Sequence, residues 1–191
     1  MVKRDTSKME RHILRTADRL FYGRGIRAVG VDTVAAEAGI SKRTLYNHFP
    51  SKEALVVAYL RRRMPSEIVP GQTPITDQIG GFFDALEYSF GLDGFRGCPF
   101  VNAVTELGEP DDEVRALAVQ FKEGYRGWFR ALLEAGGADD PESLSLQLLM
   151  LVDGAIAAAL LRQDSAVAQD AKKAALALVR TAGITDNNEK D

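Results

Sequence analysis

Gly39 separates two short stretches that have the composition of helices. We predict the first over about Asp32–Ala38 and the second over Lys42–Phe49, because glycine readily takes the backbone conformation that ends a helix. Ser41 precedes the second stretch, where its side-chain oxygen can accept a hydrogen bond from an amide of the first turn. Two short helices joined by a tight turn are typical of a helix-turn-helix motif, whose second helix lies in the major groove of DNA.

The second of these helices has two different faces. Leu45 and Phe49 are four residues apart, so they point the same way and can anchor the helix to its neighbours. The opposite face is cationic, aromatic and polar, which suits contact with base edges and phosphates. It carries Lys42, Arg43, Thr44, Tyr46, Asn47 and His48.

The rest of the chain also has helical periodicity, and alternating runs typical of strands are absent. The first helix is predicted over about Ser7–Tyr22 and ends at Gly23, while Ser51 caps a fourth helix that ends at about Arg63. The fold class is therefore all-α, an N-terminal three-helix helix-turn-helix domain followed by a C-terminal helical domain. The further helices are predicted over about Ile75–Phe90, Pro99–Leu107, Asp112–Ala135, Pro141–Leu161 and Ser165–Ala182.

A cluster of helix breakers, Pro65, Pro70, Gly71 and Pro74, marks a domain boundary. We predict a DNA-binding domain over residues 1–64 and an effector-binding and dimerisation domain over residues 65–191. Helix 4 ends at this cluster and is the only element whose place in the sequence connects the two. Residues 1–64 contain 14 Lys and Arg against 6 Asp and Glu, a net charge of +8, whereas the remainder has a net charge of −11. A basic head on an acidic body is typical of nucleic-acid-binding proteins, although a solvated basic face would look the same.

The segment Ser41–Leu55 resembles a family signature. It reads Ser-Lys-Arg-Thr-Leu-Tyr-Asn-His-Phe-Pro-Ser-Lys-Glu-Ala-Leu, similar to the Ser-Lys-x-Thr-Leu-Tyr-x-His-Phe and Ser-Lys-Glu-x-Leu runs of TetR-family regulators. The resemblance covers about Met9–Arg61, and beyond it the chain resembles the family only in helical layout. Phe95–Asn102 also resembles a segment of one subset of such regulators. The resemblance implies a transcriptional repressor that binds a palindromic operator as a homodimer and is released by a small-molecule effector.

The resemblance also implies roles for single residues. Lys42, Thr44 and Tyr46 match positions that contact DNA in the family, and His48 and Lys52 match phosphate-contacting positions. The residues expected to bind DNA are Lys42, Arg43, Thr44, Tyr46, Asn47, His48, Ser51 and Lys52.

Two positions depart from the family pattern, and several have a purely structural alternative. Arg43 replaces a small residue, and Gly30 replaces the Ser or Thr that usually caps helix 2. Tyr46 could be a half-buried packing aromatic, and His48 a buried tautomer bonded to a backbone carbonyl. Lys52 could be a solvated charge. Arginines 61–63 fit a solvated helix C-terminus better than a DNA clamp.

The last two long helices are the expected dimer surface. Helix-turn-helix heads work as symmetric pairs because two half-sites about one DNA turn apart supply the affinity. Apolar residues populate nearly every face of the penultimate helix, which favours burial on both sides, by a second subunit or by a large monomeric core. They are Leu144, Leu146, Leu148, Leu149, Leu151, Val152, Ile156, Leu160 and Leu161, joined on the last helix by Ala171, Ala174, Ala175, Leu178 and Val179.

Aromatic residues concentrate in the middle helices. Small-molecule sites are commonly apolar cavities with a few polar groups, and plain core packing is the alternative for each aromatic side chain. Asp153 is either an anion of such a site or a satisfied structural carboxylate. The candidate effector-binding residues are Phe83, Asn102, Thr105, Phe121, Tyr125, Trp128 and Asp153.

The sequence contains no pattern typical of an enzyme active site. The chain has two histidines, His12 and His48, and it lacks catalytic triad spacing, metal-ligand spacing and a glycine-rich phosphate loop. We expect no catalytic residue, no metal and no cofactor. Cys98, the single cysteine, is either inert and buried or a sensor of oxidants.

The expected location is the cytoplasm, without a membrane partner. We find no signal-peptide pattern at the N-terminus and expect no apolar run of about 18–20 residues. The remaining alternative is a helical protein-interaction module with no DNA target. The charge division and the exposed Lys42, Arg43 and Tyr46 argue against it.

Overall fold

The computed structural model describes the backbone of residues 2–107 and 112–185, and the side chains from residue 8 onward within those ranges. All regular elements of the described residues are α-helices, which confirms the all-α fold class. They are α1 (Val2–Arg24), α2 (Val31–Glu37), α3 (Lys42–His48), α4 (Lys52–Arg63), α5 (Ile75–Phe90), α6 (Pro99–Leu107), α7 (Asp112–Ala135), α8 (Pro141–Arg162) and α9 (Val167–Thr181).

The chain folds into two compact units. The first comprises Met1–Met64 and Cys98–Gln120, and the second comprises Pro65–Gly97 and Phe121–Asp191. The chain therefore passes between the units three times, and α6 with the first residues of α7 belongs to the first unit. This corrects the expectation that α4 is the only connecting element. The assignment of roles to residues 1–64 and 65–191 remains a prediction.

In the first unit, α1 packs against α2, α3 and α4, and α2 packs against α3. Ile13 and Leu20 of α1 are buried, as are Leu45 of α3 and Leu55 of α4. His12 adds a polar tie between elements, because its Nε2 lies 2.9 Å from the backbone carbonyl oxygen of Ala38. The bundle thus fixes both short helices to the long first one.

The first helix is longer than the sequence predicts. It begins at Val2 rather than at about Ser7, and it runs through Gly23 to Arg24. Gly25 ends it with a φ of +93°, a left-handed conformation that favours glycine. The predicted bounds of α5, α6 and α7 agree with the structure. Those of α2, α3, α4, α8 and α9 agree to within two residues.

In the second unit, α5, α8 and α9 pack against one another. Phe83, Phe129, Leu148 and Val179 are fully buried in its main apolar cluster. Asp140 caps α8, because its carboxylate accepts a hydrogen bond from the amide of Ser143 at 3.0 Å.

One prediction about apolar runs is wrong. Among the described helices, α8 is long and apolar enough to cross a membrane by length and composition, with a mean hydropathy of 2.0 over an 18-residue window that is 39% buried. Asp153 is the only charged residue between Leu144 and Leu161. One such helix is a weak indication of a membrane span, because the core helix of a soluble protein passes the same test.

Candidate nucleic-acid interface

The turn and caps around α3 are well defined. Gly39 adopts a φ of +65°, which lets the chain reverse between α2 and α3. The Ser41 hydroxyl oxygen accepts a hydrogen bond from the amide of Thr44 at 3.0 Å and lies 2.8 Å from the Thr44 hydroxyl. The predicted Ser41 cap is therefore present. Gly30, in contrast, caps α2 without any side-chain hydrogen bond.

Burial divides α3 into two faces as the sequence predicts. Leu45 is fully buried and Phe49 is 8% exposed, so these side chains anchor the helix. Lys42, Arg43 and Asn47 are exposed. Tyr46 is 39% exposed, so part of its ring faces solvent. Two cations, a phenol and an amide thus share a solvent-facing surface, here called the α3 polar face, which consists of Lys42, Arg43, Tyr46 and Asn47.

An acidic partner holds the first cation of this face. Lys42 Nζ lies 2.9 Å from Oδ1 and 3.1 Å from Oδ2 of Asp32, on α2. This hydrogen bond and the attraction to Asp32 raise the pKa of Lys42. Lys42 is therefore a stable cation, but any phosphate that binds it must compete with the Asp32 carboxylate.

His48 faces an acidic residue of α1 rather than a backbone carbonyl. Its Nδ1 lies 3.5 Å from a carboxylate oxygen of Glu10, and its side chain is 14% exposed. The tautomer bonded to a backbone carbonyl, expected as an alternative for His48, is instead the arrangement of His12. His48 is the last residue of α3, so this contact joins the end of α3 to α1.

The start of α4 is capped as predicted. The Ser51 hydroxyl oxygen accepts a hydrogen bond from the amide of Ala54 at 3.1 Å. Hydrogen bonds from its own backbone amide and from Ser51 hold the pKa of Glu53 below its usual range. Lys52 is partly buried at the first helical position. The Ser51 hydroxyl is thus already engaged within the helix cap.

Two of the three arginines at the end of α4 are engaged inside the first unit. Arg61 pairs with Glu113 of α7 at 2.5 Å, and Arg63 pairs with Asp18 of α1 at 2.5 Å. The Arg63 guanidinium also lies 4.3 Å from the ring centroid of Tyr22, a cation–π contact. These contacts give Arg61 and Arg63 structural roles that sequence reasoning missed, since their partners lie 52 and 45 residues away.

A contact between α6 and the turn after α1 was also missed. Glu106 accepts a hydrogen bond from the backbone amide of Arg27 at 3.0 Å. A Cβ atom on Gly25 would lie 2.9 Å from the Glu106 carboxylate. No local signal predicts this, because 79 residues separate the donor and the acceptor.

The seven candidate effector residues do not all fall in one unit. Asn102 and Thr105 lie on α6 in the first unit, and the Thr105 hydroxyl donates to carbonyls of its own helix. Asp153 is exposed and pairs with Lys122 of α7, as expected of a structural carboxylate. The remaining four belong to the second unit and are Phe83, Phe121, Tyr125 and Trp128.

An aromatic cluster in the second unit centres on Phe82, which the sequence did not single out as a site. Its ring centroid lies 5.1 Å from Tyr125, 5.5 Å from Trp128 and 5.2 Å from Phe129. Phe121 extends the cluster through Tyr125 at 4.8 Å. Phe82 and Tyr125 are partly buried, whereas Trp128 is 8% exposed.

One face of α8 carries exposed apolar side chains on either side of Asp153, whose carboxylate pairs with Lys122 of α7. Leu146, Met150 and Leu161 are 48%, 64% and 84% exposed. With the exposed Ala157 they follow the helical repeat along a single stripe, here called the α8 stripe. Leu149, which the sequence places on the expected dimer surface, is only 7% exposed in the single chain.

The two remaining candidate groups are Cys98 and possible metal ligands. Cys98 is buried, 6% exposed, immediately before α6. The described residues contain no cluster of three or more His, Cys, Asp or Glu side chains that could hold a metal ion.

Comparisons with known proteins agree with this geometry. A model of bacterial regulatory proteins of the tetR family matches residues 13–59, and a tetracyclin repressor-like C-terminal domain model matches residues 108–182. The crystal structure of SCO4454, a TetR-family transcriptional regulator from Streptomyces coelicolor, is similar with a TM-score of 0.83 and 30% identity, covering 92% of this chain and 96% of that one.

Two curated relatives are similar over shorter regions. The transcriptional repressor DhaR of Mycobacterium sp. strain GP1 is 27% identical over 134 residues, 66% of each chain. The transcriptional activator FasR of Mycolicibacterium smegmatis is 44% identical over 86 residues, 40% of this chain and 39% of FasR. The match thus spans about two thirds of DhaR and well under half of FasR.

Proposed function

This chain belongs to the TetR family of bacterial regulatory proteins, and we propose that it represses transcription by binding a palindromic operator as a homodimer that a small-molecule effector releases. The family and fold are those of DNA-binding regulators rather than of enzymes. We propose residues 1–64 as the DNA-binding domain and residues 65–191 as the effector-binding and dimerisation domain. The proposed site of action is the cytoplasm, where the operator is accessible.

The α3 polar face is the observation that carries the DNA-binding proposal. The helix, anchored by Leu45 and Phe49, holds Arg43 and Asn47 toward solvent, and Lys42 joins them once a phosphate replaces Asp32 as its partner. Arg43 has the geometry to bind a guanine through two parallel hydrogen bonds, so we assign it base reading. The proposed DNA contacts are Lys42, Arg43, Thr44, Tyr46, Asn47, His48, Ser51 and Lys52.

The contacts are of two kinds. Lys42 and Lys52 supply charge to the phosphates, which adds affinity for every sequence, whereas Arg43 and Asn47 contact base edges. His48 donates to a phosphate through Nε2 while its Nδ1 faces Glu10. Ser51 contributes as the cap that orients the first turn of α4, whose free amides also favour an anion.

The α8 stripe supports the homodimer. Leu146, Met150 and Leu161 form an exposed apolar surface that a second copy of the chain would bury. A symmetric pair would present two α3 helices to two half-sites, as a palindromic operator requires. The apolar composition of α8 is explained in the same way, because one side packs on α5 and α9 and the other side on the partner.

Effector release requires a second binding site, and this site must bind its ligand more tightly when the protein is in the arrangement that cannot bind DNA. An effector lowers operator affinity only if it binds the DNA-incompetent arrangement more tightly, and the two ligands then weaken each other by the same factor. Three connections between the units, after Met64, Gly97 and Gln120, could transmit this preference. We expect a saturating effector to lower operator affinity roughly 5- to 150-fold.

The repressor assignment is supported by DhaR, a repressor that matches a larger part of the chain than the activator FasR does. Transcription from a reporter placed behind the selected operator tests it directly. Repression by the wild-type protein is expected, and increased transcription would contradict it.

Selection of DNA from a random pool tests the binding proposal. The wild-type protein should retain an inverted repeat whose half-site centres are about 10 base pairs, or a multiple, apart. A Lys42→Ala/Arg43→Ala variant should retain no consensus, while Arg115→Ala, which removes an exposed cation of α7, should retain the wild-type sequence. A pool from which the wild-type protein enriches no sequence would overturn the proposal.

A further inference from the structure

Trp128 carries a buried donor without an acceptor. Its Nε1 is inaccessible to solvent and has no hydrogen-bond partner within the described ranges. Only one other buried side-chain nitrogen there shares this property, Nε of Arg130, and that guanidinium still pairs with Glu142 at 2.9 Å. A buried indole N–H normally finds an acceptor, since leaving it unpaired is costly.

The surroundings of this donor are aromatic. Phe82 lies over Trp128 with an interplanar angle of 31° and a centroid separation of 5.5 Å, and Phe129 lies 5.1 Å away. Phe82 itself contacts Tyr125 edge-on at 5.1 Å. Phe82 and Tyr125 are only partly buried, so the aromatic cluster that covers the indole is partly open to solvent.

The neighbouring charges on α7 are already neutralised. Lys122 pairs with Asp153, and Arg126 pairs with Glu123 at 2.7 Å and with Glu142 at 2.5 Å. A charged ligand at this cluster would have to break one of these pairs to be compensated. The cluster therefore favours an uncharged molecule.

We propose that the Trp128 indole N–H is the polar anchor of the effector site, and that the effector is an uncharged aromatic molecule with a hydrogen-bond acceptor on or beside its ring. The ligand ring packs against the partly exposed rings of Phe82 and Tyr125, and its acceptor atom lies in the plane of the indole, where it takes the hydrogen bond that Nε1 lacks in the unliganded chain. This inference rests on the proposed effector-released regulator and names the ligand class and the residue that selects it.

The single tryptophan makes the proposal directly measurable, because the full chain gives one indole N–H signal in a proton–nitrogen correlation spectrum. Quinoline and naphthalene serve as probes, since they have the same shape and only quinoline has an acceptor. Quinoline should move the indole signal downfield and bind about two- to tenfold more tightly than naphthalene, the range expected for one hydrogen bond. Trp128→Phe should abolish this preference, whereas Tyr88→Phe, which removes a phenol that is 73% exposed on α5, should retain it.

Equal affinity for the two probes, an unchanged indole signal on quinoline binding, or binding of neither probe would overturn the inference. Failure of the proposed function gives a different result. In that case quinoline still binds and shifts the indole signal, but the affinity for the selected operator is absent or unaffected by quinoline. A preference for quinoline that survives in Trp128→Phe would assign the acceptor contact to another residue and would also overturn the inference.

Discussion

At the scale of single residues, the negative charge of Asp32 opposes the positive charge of the α3 polar face, which we propose as the DNA-binding surface. Its carboxylate lies 2.9 Å from Lys42 Nζ, so it competes with phosphates for that cation and repels them as well. We predict that Asp32→Asn strengthens binding to a duplex of scrambled sequence and steepens the dependence of log Kd on log salt by up to about one unit. Fluorescence anisotropy titrations at several salt concentrations measure both quantities.

Glu37→Gln provides the matched control. It removes one negative charge from the same helix, but Glu37 pairs with Arg19 at 2.7 Å rather than with the α3 polar face. Its effect should therefore be smaller than that of Asp32→Asn. Equal effects of the two substitutions, or weaker binding by Asp32→Asn, would show that Asp32 does not restrain Lys42.

The sequence predicts some contacts of the candidate interface and not others. The Ser41 and Ser51 caps depend on neighbours three residues away, so local spacing revealed them. The partners of Lys42 and His48 lie on other helices, and no local pattern contains that information. The same holds for Arg63, which looked like a solvated charge and is paired with Asp18.

At the scale of elements, the contact between α6 and the α1–α2 turn is the least expected feature. Gly25 has a left-handed φ of +93° and closely approaches Glu106, whereas Gly39 has a φ of +65° with open space around it. We predict that Gly25→Ala lowers the free energy of unfolding more than Gly39→Ala does, by about 1 kcal/mol or more. The reason is that Gly39→Ala adds only backbone strain, about 1–2 kcal/mol. Urea unfolding followed by circular dichroism measures the difference.

The Glu106→Ala background shows whether the carboxylate is responsible. This substitution alone should cost about 1 kcal/mol through the lost hydrogen bond to the Arg27 amide. In that background, the difference between Gly25→Ala and Gly39→Ala should shrink to the difference in backbone strain between a φ of +93° and a φ of +65°. If the difference between the two alanine variants is unchanged without Glu106, the close approach of α6 does not contribute to it.

Helix bounds were easier to predict than helix grouping. Prolines and capping residues mark the starts of α6 and α8, and the sequence bounds agree with the structure to within a residue. The start of α1 was placed too late, because its first turns lack the apolar periodicity that identifies a helix. The grouping of Cys98–Gln120 with the first unit was not predicted, because it depends on contacts between residues distant in sequence.

At the scale of the whole molecule, we propose that assembly depends on the α8 stripe. We predict that the wild-type chain is a dimer at micromolar concentration and that Met150→Glu makes it a monomer, since a buried unpaired carboxylate costs about 3–5 kcal/mol. Met150 is 64% exposed, so the substitution leaves the fold of each subunit intact. Leu149 and Leu178 are poorer targets, because Leu149 is already buried in the single chain and Leu178 packs against the core of the second unit. Sedimentation velocity distinguishes the two states.

Tyr88→Glu is the control for assembly, because Tyr88 is 73% exposed on α5 and lies away from the α8 stripe in sequence and element. It should leave the dimer intact. A monomeric wild-type protein, or a Met150→Glu variant that remains dimeric, would exclude the α8 stripe as the subunit interface.

The charge division of the chain, +8 over residues 1–64 and −11 over the remainder, belongs to the same scale. We expect it to orient the protein on DNA without specifying a sequence, and we assign sequence recognition to the α3 polar face. The salt dependence of operator binding therefore separates the general contribution of charge from the contribution of α3.

The most direct test of the account is the affinity of the selected operator for wild type, Lys42→Ala, Arg43→Ala and the control Lys173→Ala, measured against salt. Lys173 is an exposed cation of α9 that pairs with Asp170, so its loss should leave binding unchanged. Lys42→Ala should lower the salt slope by about one unit. Arg43→Ala should lose about 1–3 kcal/mol and relax the preference at one base position. Wild-type affinity and slope in both α3 variants would contradict the assignment of α3 as the recognition helix.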